Sequence, residues 1–218
     1  MSKFLFSCKD LDDLSIGHAS FGTEGLGLVA KFLGKKINVT SFALVSVTIN
    51  KECKAILAKS LAIRNRSARP LTNLCLRSNE MDLPAVIRGT KNGLQTLDNL
   101  TSLELSNNRL PVAGAKVLAK VLQANPALTT LNLSGNRLTN KGARDLLAPL
   151  KDEGATLNHL DISNNWISKS LENFRFYALD ITLRLMHFKK PTRLRQRLWK
   201  CSESITRFAR WISVETVA

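Results

Sequence analysis

Leu100-Thr101-Ser102-Leu103-Glu104-Leu105-Ser106-Asn107-Asn108-Arg109-Leu110 spaces its apolar side chains three, then two, then five residues apart, with Asn108 inside the last interval. The same spacing returns at Leu71-Leu74-Leu76-Asn79-Met81, at Leu128-Leu131-Leu133-Asn136-Leu138 and at Leu157-Leu160-Ile162-Asn165-Ile167, in steps of 28 or 29 residues. A fixed period of that length marks a repeat architecture. Each unit offers a short strand and then a helix. Neither can bury its apolar face alone, so the units must stack.

The register continues upstream in degraded form. Leu11-Leu14-Ile16 is followed by Ala19 in the Asn slot and Phe21 in the last apolar slot, and Val39-Phe42-Leu44 by Val47 and Ile49. Six units therefore start at Leu11, Val39, Leu71, Leu100, Leu128 and Leu157. A second column supports this frame. Fourteen residues after the first five starts stand Gly25, Cys53, Ala85, Gly114 and Gly142. Apolar pairs follow four and eight residues later in four of them: Val29 and Leu33, Leu57 and Leu61, Leu118 and Leu122, Leu146 and Leu150. Residues four apart share one helix face, and the small residue is expected to let that helix approach the strand layer. In the third unit Gly89 and Gly93 replace the leucines, so a short or irregular segment is expected there. The longer second unit, with Arg64-Asn-Arg-Ser-Ala-Arg before Pro70, reads as an extended loop.

The spacing and the Gly-x-x-x-Leu-x-x-x-Leu helix pattern resemble the ribonuclease-inhibitor-like class of leucine-rich repeats, over roughly Leu11 to Ile167. The resemblance implies an α/β solenoid, with a curved parallel sheet inside and helices outside. It also implies an asparagine ladder of Asn79, Asn108, Asn136 and Asn165 that bonds neighbouring backbone where the chain leaves each strand. Buried backbone there must find partners. Ala19 and Val47 lack the carboxamide, so the first two units are expected to form a looser, capping start. A short, strongly basic array also resembles the leucine-rich-repeat effectors that intracellular bacteria deliver into host cells.

The organisation expected is a six-unit solenoid over residues 1–168, its first two units degenerate, and a basic amphipathic helical hairpin over 169–218. In that tail Leu171, Phe174, Ala178, Ile181, Leu185 and Phe188 form one helical stripe. After Pro191, Leu194, Leu198, Cys201, Ile205, Phe208 and Ile212 form another, with Thr192 placed to cap it. Such an element would close the exposed end of the core. The chain has a net charge of +15, and from Ile181 onward nine basic residues face two acids. Arg193, Arg195, Arg197, Trp199, Lys200, Arg207, Arg210 and Trp211 are therefore the candidates for contact with an anionic membrane surface, the alternative to a simple cap.

No segment reaches the ~20 apolar residues of a membrane span, and Phe4-Leu-Phe6 is too short for the apolar core of a signal peptide. A soluble, cytoplasmic monomer is expected. Cys8, Cys53, Cys75 and Cys201 are scattered and unpaired in spacing, which suits a reducing compartment and argues against disulfides or zinc. No cofactor or metal is implied.

Because strand side chains alternate, the residues between the leucines face away from the core. These are Asp13, Ser15 and Gly17; Ser41, Ala43 and Val45; Asn73, Cys75 and Arg77; Ser102, Glu104 and Ser106; Thr130, Asn132 and Ser134; and His159, Asp161 and Ser163. The face lacks a basic stripe or aromatic platform, so nucleic acid is not the expected partner. The residue after each motif Asn is Glu80, Arg109, Arg137 and Trp166, a rim of side-chain types enriched in interfaces. Arg77, Glu104, Asn132, His159, Asp161, Arg109, Arg137 and Trp166 are the candidate residues for binding a protein partner. His159-x-Asp161-x-Ser163 invites a hydrolase reading, but neighbours on one strand face are ~6.6 Å apart, whereas a triad needs ~3 Å contacts. A non-enzymatic protein-interaction module is expected.

Overall fold

The computed structural model describes residues 10–20, 22–34, 38–47, 51–65, 69–79, 99–151 and 156–167. The expected irregular segment around Gly89 and Gly93 and the whole tail hairpin lie outside them. Strand β1 is Asp13–Gly17, helix α1 Thr23–Leu33, β2 Ser41–Val45, α2 Lys51–Asn65 and β3 Asn73–Cys75. Then come β4 Ser102–Glu104, α3 Val112–Ala124, β5 Thr130–Asn132, α4 Asn140–Leu147, a 3-10 turn at Ala148–Lys151, and β6 His159–Asp161. Except between β3 and β4, the described strands are separated by helices.

All six strands form one parallel sheet in sequence order. Parallel neighbours cannot be joined by a tight turn, and helices α1, α2, α3 and α4 supply the crossovers described between β1 and β2, β2 and β3, β4 and β5, and β5 and β6. The register follows the repeat frame without a slip. Leu14 pairs with Phe42, Phe42 with Leu74, and then Leu103, Leu131 and Leu160 continue the line. This row joins one buried core with the inward faces of the helices. Burying one such leucine contributes roughly 1.5–3 kcal/mol, so the repeated leucines are the main cohesive force.

The helices form where apolar residues recur at three and four. In α1 Leu26, Val29, Phe32 and Leu33 are buried, Glu24 lies in the first turn and Lys31 in the last, each matched to the helix dipole. In α3 the buried residues are Gly114, Ala115, Leu118 and Val121, and in α4 Gly142, Ala143, Leu146 and Leu147. Leu122, expected on the inward face, is only partly buried, and Val121 takes the deeper position.

Three expectations change. A Cβ at Gly142 would stand 3.4 Å from Leu138 Cδ2 and 3.5 Å from both Ala115 Cβ and Val112 Cα. The small residue therefore sets the spacing between α4 and α3, as well as the approach to its own strand exit. Helix α2 runs through Asn65, so Arg64 and Asn65 end a 15-residue helix and the longer second unit is partly absorbed there. Nor is the start of the sheet loosely paired. β1 and β2 match over five residues, against three for the later pairs.

A further column was not anticipated. His18, Ser46, Ser78, Asn107, Gly135 and Asn164 all have φ between +51° and +64°. Each lies seven residues after its unit's start, so all six units make the same left-handed turn on leaving the strand. The turn points the N–H across to the next unit: His18 donates to Val45 O, Ser46 to Arg77 O, Ser78 to Ser106 O, Asn107 to Ser134 O and Gly135 to Ser163 O, at 2.8–3.1 Å. Asn and Gly tolerate this conformation best, and at position 135 a side chain would also displace that of Asn107. A Cβ there would collide with Asn107 Oδ1.

Candidate functional site: the open sheet face and its turn edge

The sheet face away from the helices is built in rows. The first runs Asp13, Ser41, Asn73, Ser102, Thr130, His159, and the second Ser15, Ala43, Cys75, Glu104, Asn132, Asp161. His159 and Asn73 are exposed, and Glu104, Asn132 and Asp161 half-buried.

The second row is partly occupied by the protein's own backbone. Glu104 Oε1 accepts the Ser106 N–H at 2.9 Å, Asn132 Oδ1 the Ser134 N–H at 2.9 Å, and Asp161 Oδ1 the Ser163 N–H at 2.9 Å. Ser134 Oγ also donates to Asn132 Oδ1 at 2.8 Å. These side chains close the start of the left-handed turn in the last three units, an interaction two residues along the chain that Asp and Asn make readily and that the Glu104 carboxylate also reaches. Cys75 occupies the same slot in its unit. Burial pushes its thiol above the ordinary cysteine value, with the Glu104 carboxylate adding to the rise. The Arg77 backbone N–H and guanidinium pull it back. Near neutral pH it is a thiol, not the thiolate that a nucleophile needs.

The third slot departs from strict alternation. Arg77 is exposed, but Ser106 and Ser163, expected on the open face, are buried and Ser134 half-buried. The chain has already turned inward there. In His159-x-Asp161-x-Ser163 the histidine is exposed, while the aspartate holds the backbone of the serine. No group of three or more His, Cys, Asp or Glu able to hold a metal occurs among the described residues.

Beneath the turn the four motif asparagines are buried and bonded in series. Asn136 Nδ2 donates to Leu133 O at 2.9 Å, Leu105 O at 3.0 Å and Ser134 O at 3.3 Å, and its Oδ1 accepts the Leu110 N–H at 3.1 Å. Asn165 repeats this on Leu133 O, Ile162 O, Ser163 O and the Leu138 N–H. Asn108 donates to Leu76, Leu105 and Ser106 carbonyls and accepts the Asn79 N–H. Asn79 reaches back to Leu44 O at 2.8 Å and the Val47 N–H at 2.7 Å. The second unit has Val47 in the motif slot instead of an asparagine, and its neighbour's Asn79 satisfies it. A matching series at the strand entrance escaped the sequence reading. Thr72, Thr101 and Thr129 each donate N–H and hydroxyl to the threonine carbonyl one unit earlier. The signal was a column, Thr40, Thr72, Thr101 and Thr129, directly after the starts of the second to fifth units.

On top of the ladder stand the rim residues. Arg109 is flanked by buried Asn108 and Leu110, Arg137 by buried Asn136 and Leu138, and Trp166 by buried Asn165 and Ile167. All three are exposed, Trp166 at 62%. The Arg137 guanidinium lies 5.7 Å from the Trp166 ring centroid, within cation–π range. A β-bridge between Thr139 and Trp166 fixes the backbone beneath the ring. Of the other candidates, Arg193, Arg195, Arg197, Trp199, Lys200, Arg207, Arg210 and Trp211 lie outside the described residues. No helix among the described residues is long and apolar enough to cross a membrane.

No curated protein matches the chain. A family model described as Leucine Rich repeat matches residues 96–119, 124–147 and 150–170, the stretch that holds β4, α3, β5, α4 and β6. Repeats of this type commonly mediate protein–protein interaction and are typically non-catalytic. That match finds leucine-rich repeats within residues 96–170, and the described part of that stretch alternates strands with helices.

Proposed function

We propose that this chain is a non-enzymatic protein-binding module: a six-unit solenoid over residues 1–168, of the ribonuclease-inhibitor-like kind, closed by the helical element of 169–218. Its sheet forms the concave side and engages a partner protein together with the adjoining rim. The observation that carries this reading is the register. It lines up the outward residues of six strands in continuous rows on the face that the helices leave open, and the turns that follow strands β5 and β6 carry the exposed Arg137–Trp166 pair beside that face. Arg77, His159, Arg109, Arg137 and Trp166 supply the exposed contacts. Glu104, Asn132 and Asp161 hold the strand exits and offer only their remaining valences to a partner.

A photo-crosslinking amino acid placed in turn at Ser102, His159 and Arg137, and in a parallel set at Lys116 and Lys141 on the helices, tests the proposal. Partner adducts from the first set alone support it. Adducts from the helix positions alone overturn it.

A further inference from the structure

Arg137 and Trp166 differ from the sheet rows in one respect that decides what they can bind. The central row spends side-chain oxygens on its own turns, whereas Arg137 and Trp166 hold each other above the surface. Each stands between two buried residues, one of them an asparagine bonded into the ladder. A side chain on so rigid a base loses little freedom when a ligand arrives, and pre-organisation of this kind converts contact into affinity. Stacking on the indole also orders the guanidinium and leaves its edge N–H groups open to a carboxylate fork.

We infer that the Arg109–Arg137–Trp166 edge is a docking strip for a short acidic protein segment, its carboxylates on the arginines and an apolar or prolyl residue over the exposed indole. This deepens the protein-binding reading and rests on it. Charge complementarity names the occupant: the strip is cationic in a chain of net charge +15. Its length suits a short segment. Adjacent units of the sheet lie about 4.8 Å apart, so three rim positions span on the order of 10 Å, the reach of about three extended residues. The Glu104 and Asp161 carboxylates of the same units sit on the sheet side of that strip. A continuous phosphate backbone or a lipid surface pressed against the edge would meet them. A short acidic segment running along the turns avoids them.

The test is binding of the full chain to a fluorescein-labelled peptide of alternating glutamate and glycine ending in Trp-Pro, read by anisotropy at several salt concentrations. A lysine-for-glutamate peptide and phosphatidylserine vesicles serve as comparisons. The expected result is salt-sensitive binding of the acidic peptide, weakened at least about tenfold by Arg137→Ala with Trp166→Ala. Arg193→Gln, Arg195→Gln and Arg197→Gln together should leave that component in place. The circular-dichroism melt should not move, because the rim side chains are exposed. Lysine at 137 should rescue only in part, since it lacks the planar fork.

Unchanged affinity in the double variant overturns the inference, as does a loss confined to the tail variant. Rim-dependent vesicle binding without peptide binding overturns it in favour of a lipid surface. If helix-free face positions still crosslink a partner while the rim variant binds as before, the module reading stands and this inference alone fails.

Discussion

Replacing Asn136 by alanine tests the hydrogen-bonded framework that carries the rim. The Nδ2 group serves three carbonyls, but each has another donor: Leu105 O keeps Asn108 Nδ2, Leu133 O keeps Asn165 Nδ2, and Ser134 O keeps the Asn107 N–H. The acceptor side has no such reserve in the bonds seen here, because Leu110 N–H gives its bond to Asn136 Oδ1 at 3.1 Å. An orphaned buried donor costs about 1–3 kcal/mol, and the weakened carbonyls together about 1 kcal/mol more. Loss near 3 kcal/mol is therefore expected, read as a lowered urea midpoint at unchanged slope. Asn136→Asp should be worse at neutral pH, since it keeps the acceptor but aims a carboxylate at three carbonyl oxygens. Its folded pKa would be raised above the unfolded ~3.9, so the native state would hold the proton longer. Stability of that variant then falls as pH rises through the window between the two values, and returns on acidification. A cost below about 0.5 kcal/mol for Asn136→Ala, in the range of an exposed surface change, would refute the reasoning.

Other sites give sharper single outcomes. Gly135→Ala should lower stability by about 1–2 kcal/mol from the left-handed conformation, with the Asn107 collision added, visible as a lower melting temperature. Leu131→Ala, in the centre of the buried row, should cost roughly 2–5 kcal/mol in the same denaturation assay. Thr101→Ala removes an exposed hydroxyl bond of 3.1 Å and should cost about 0.5–1 kcal/mol at most. Peptide-resolved alkylation should find Cys75 slower than free cysteine at mildly alkaline pH, catching up only as pH passes its raised pKa. Glu104→Gln should speed it, because the carboxylate that adds to the rise is gone.

The leucine columns were legible because burial permits few residue types there, and their register matches the sheet pairing position for position. The asparagine column was legible for the same reason, since one side chain must serve carbonyls and an N–H together. The left-handed column was not, because His, Ser, Asn and Gly can all fill it and only backbone geometry unites them. The turn-closing role of Glu104, Asn132 and Asp161 was hidden for a different reason. Alternation along a strand says which face a side chain leaves from, and is silent on whether it bends back to the chain two residues on. Ser106 and Ser163 were misplaced by extending that alternation past the last strand residue. The length of α2 was missed because Arg64 and Asn65 are loop-compatible types that a helix also accepts.

The central claim is that the open sheet face and its turn edge, rather than the helices, receive the partner. Amide hydrogen exchange of the chain, alone and saturated with the partner captured at His159 or Arg137, measures this directly. The account predicts protection gained in residues 73–77, 102–109, 130–137 and 159–166, with α1, α3 and α4 unchanged. Protection confined to the helices, with those strand and turn segments exchanging as before, would contradict it.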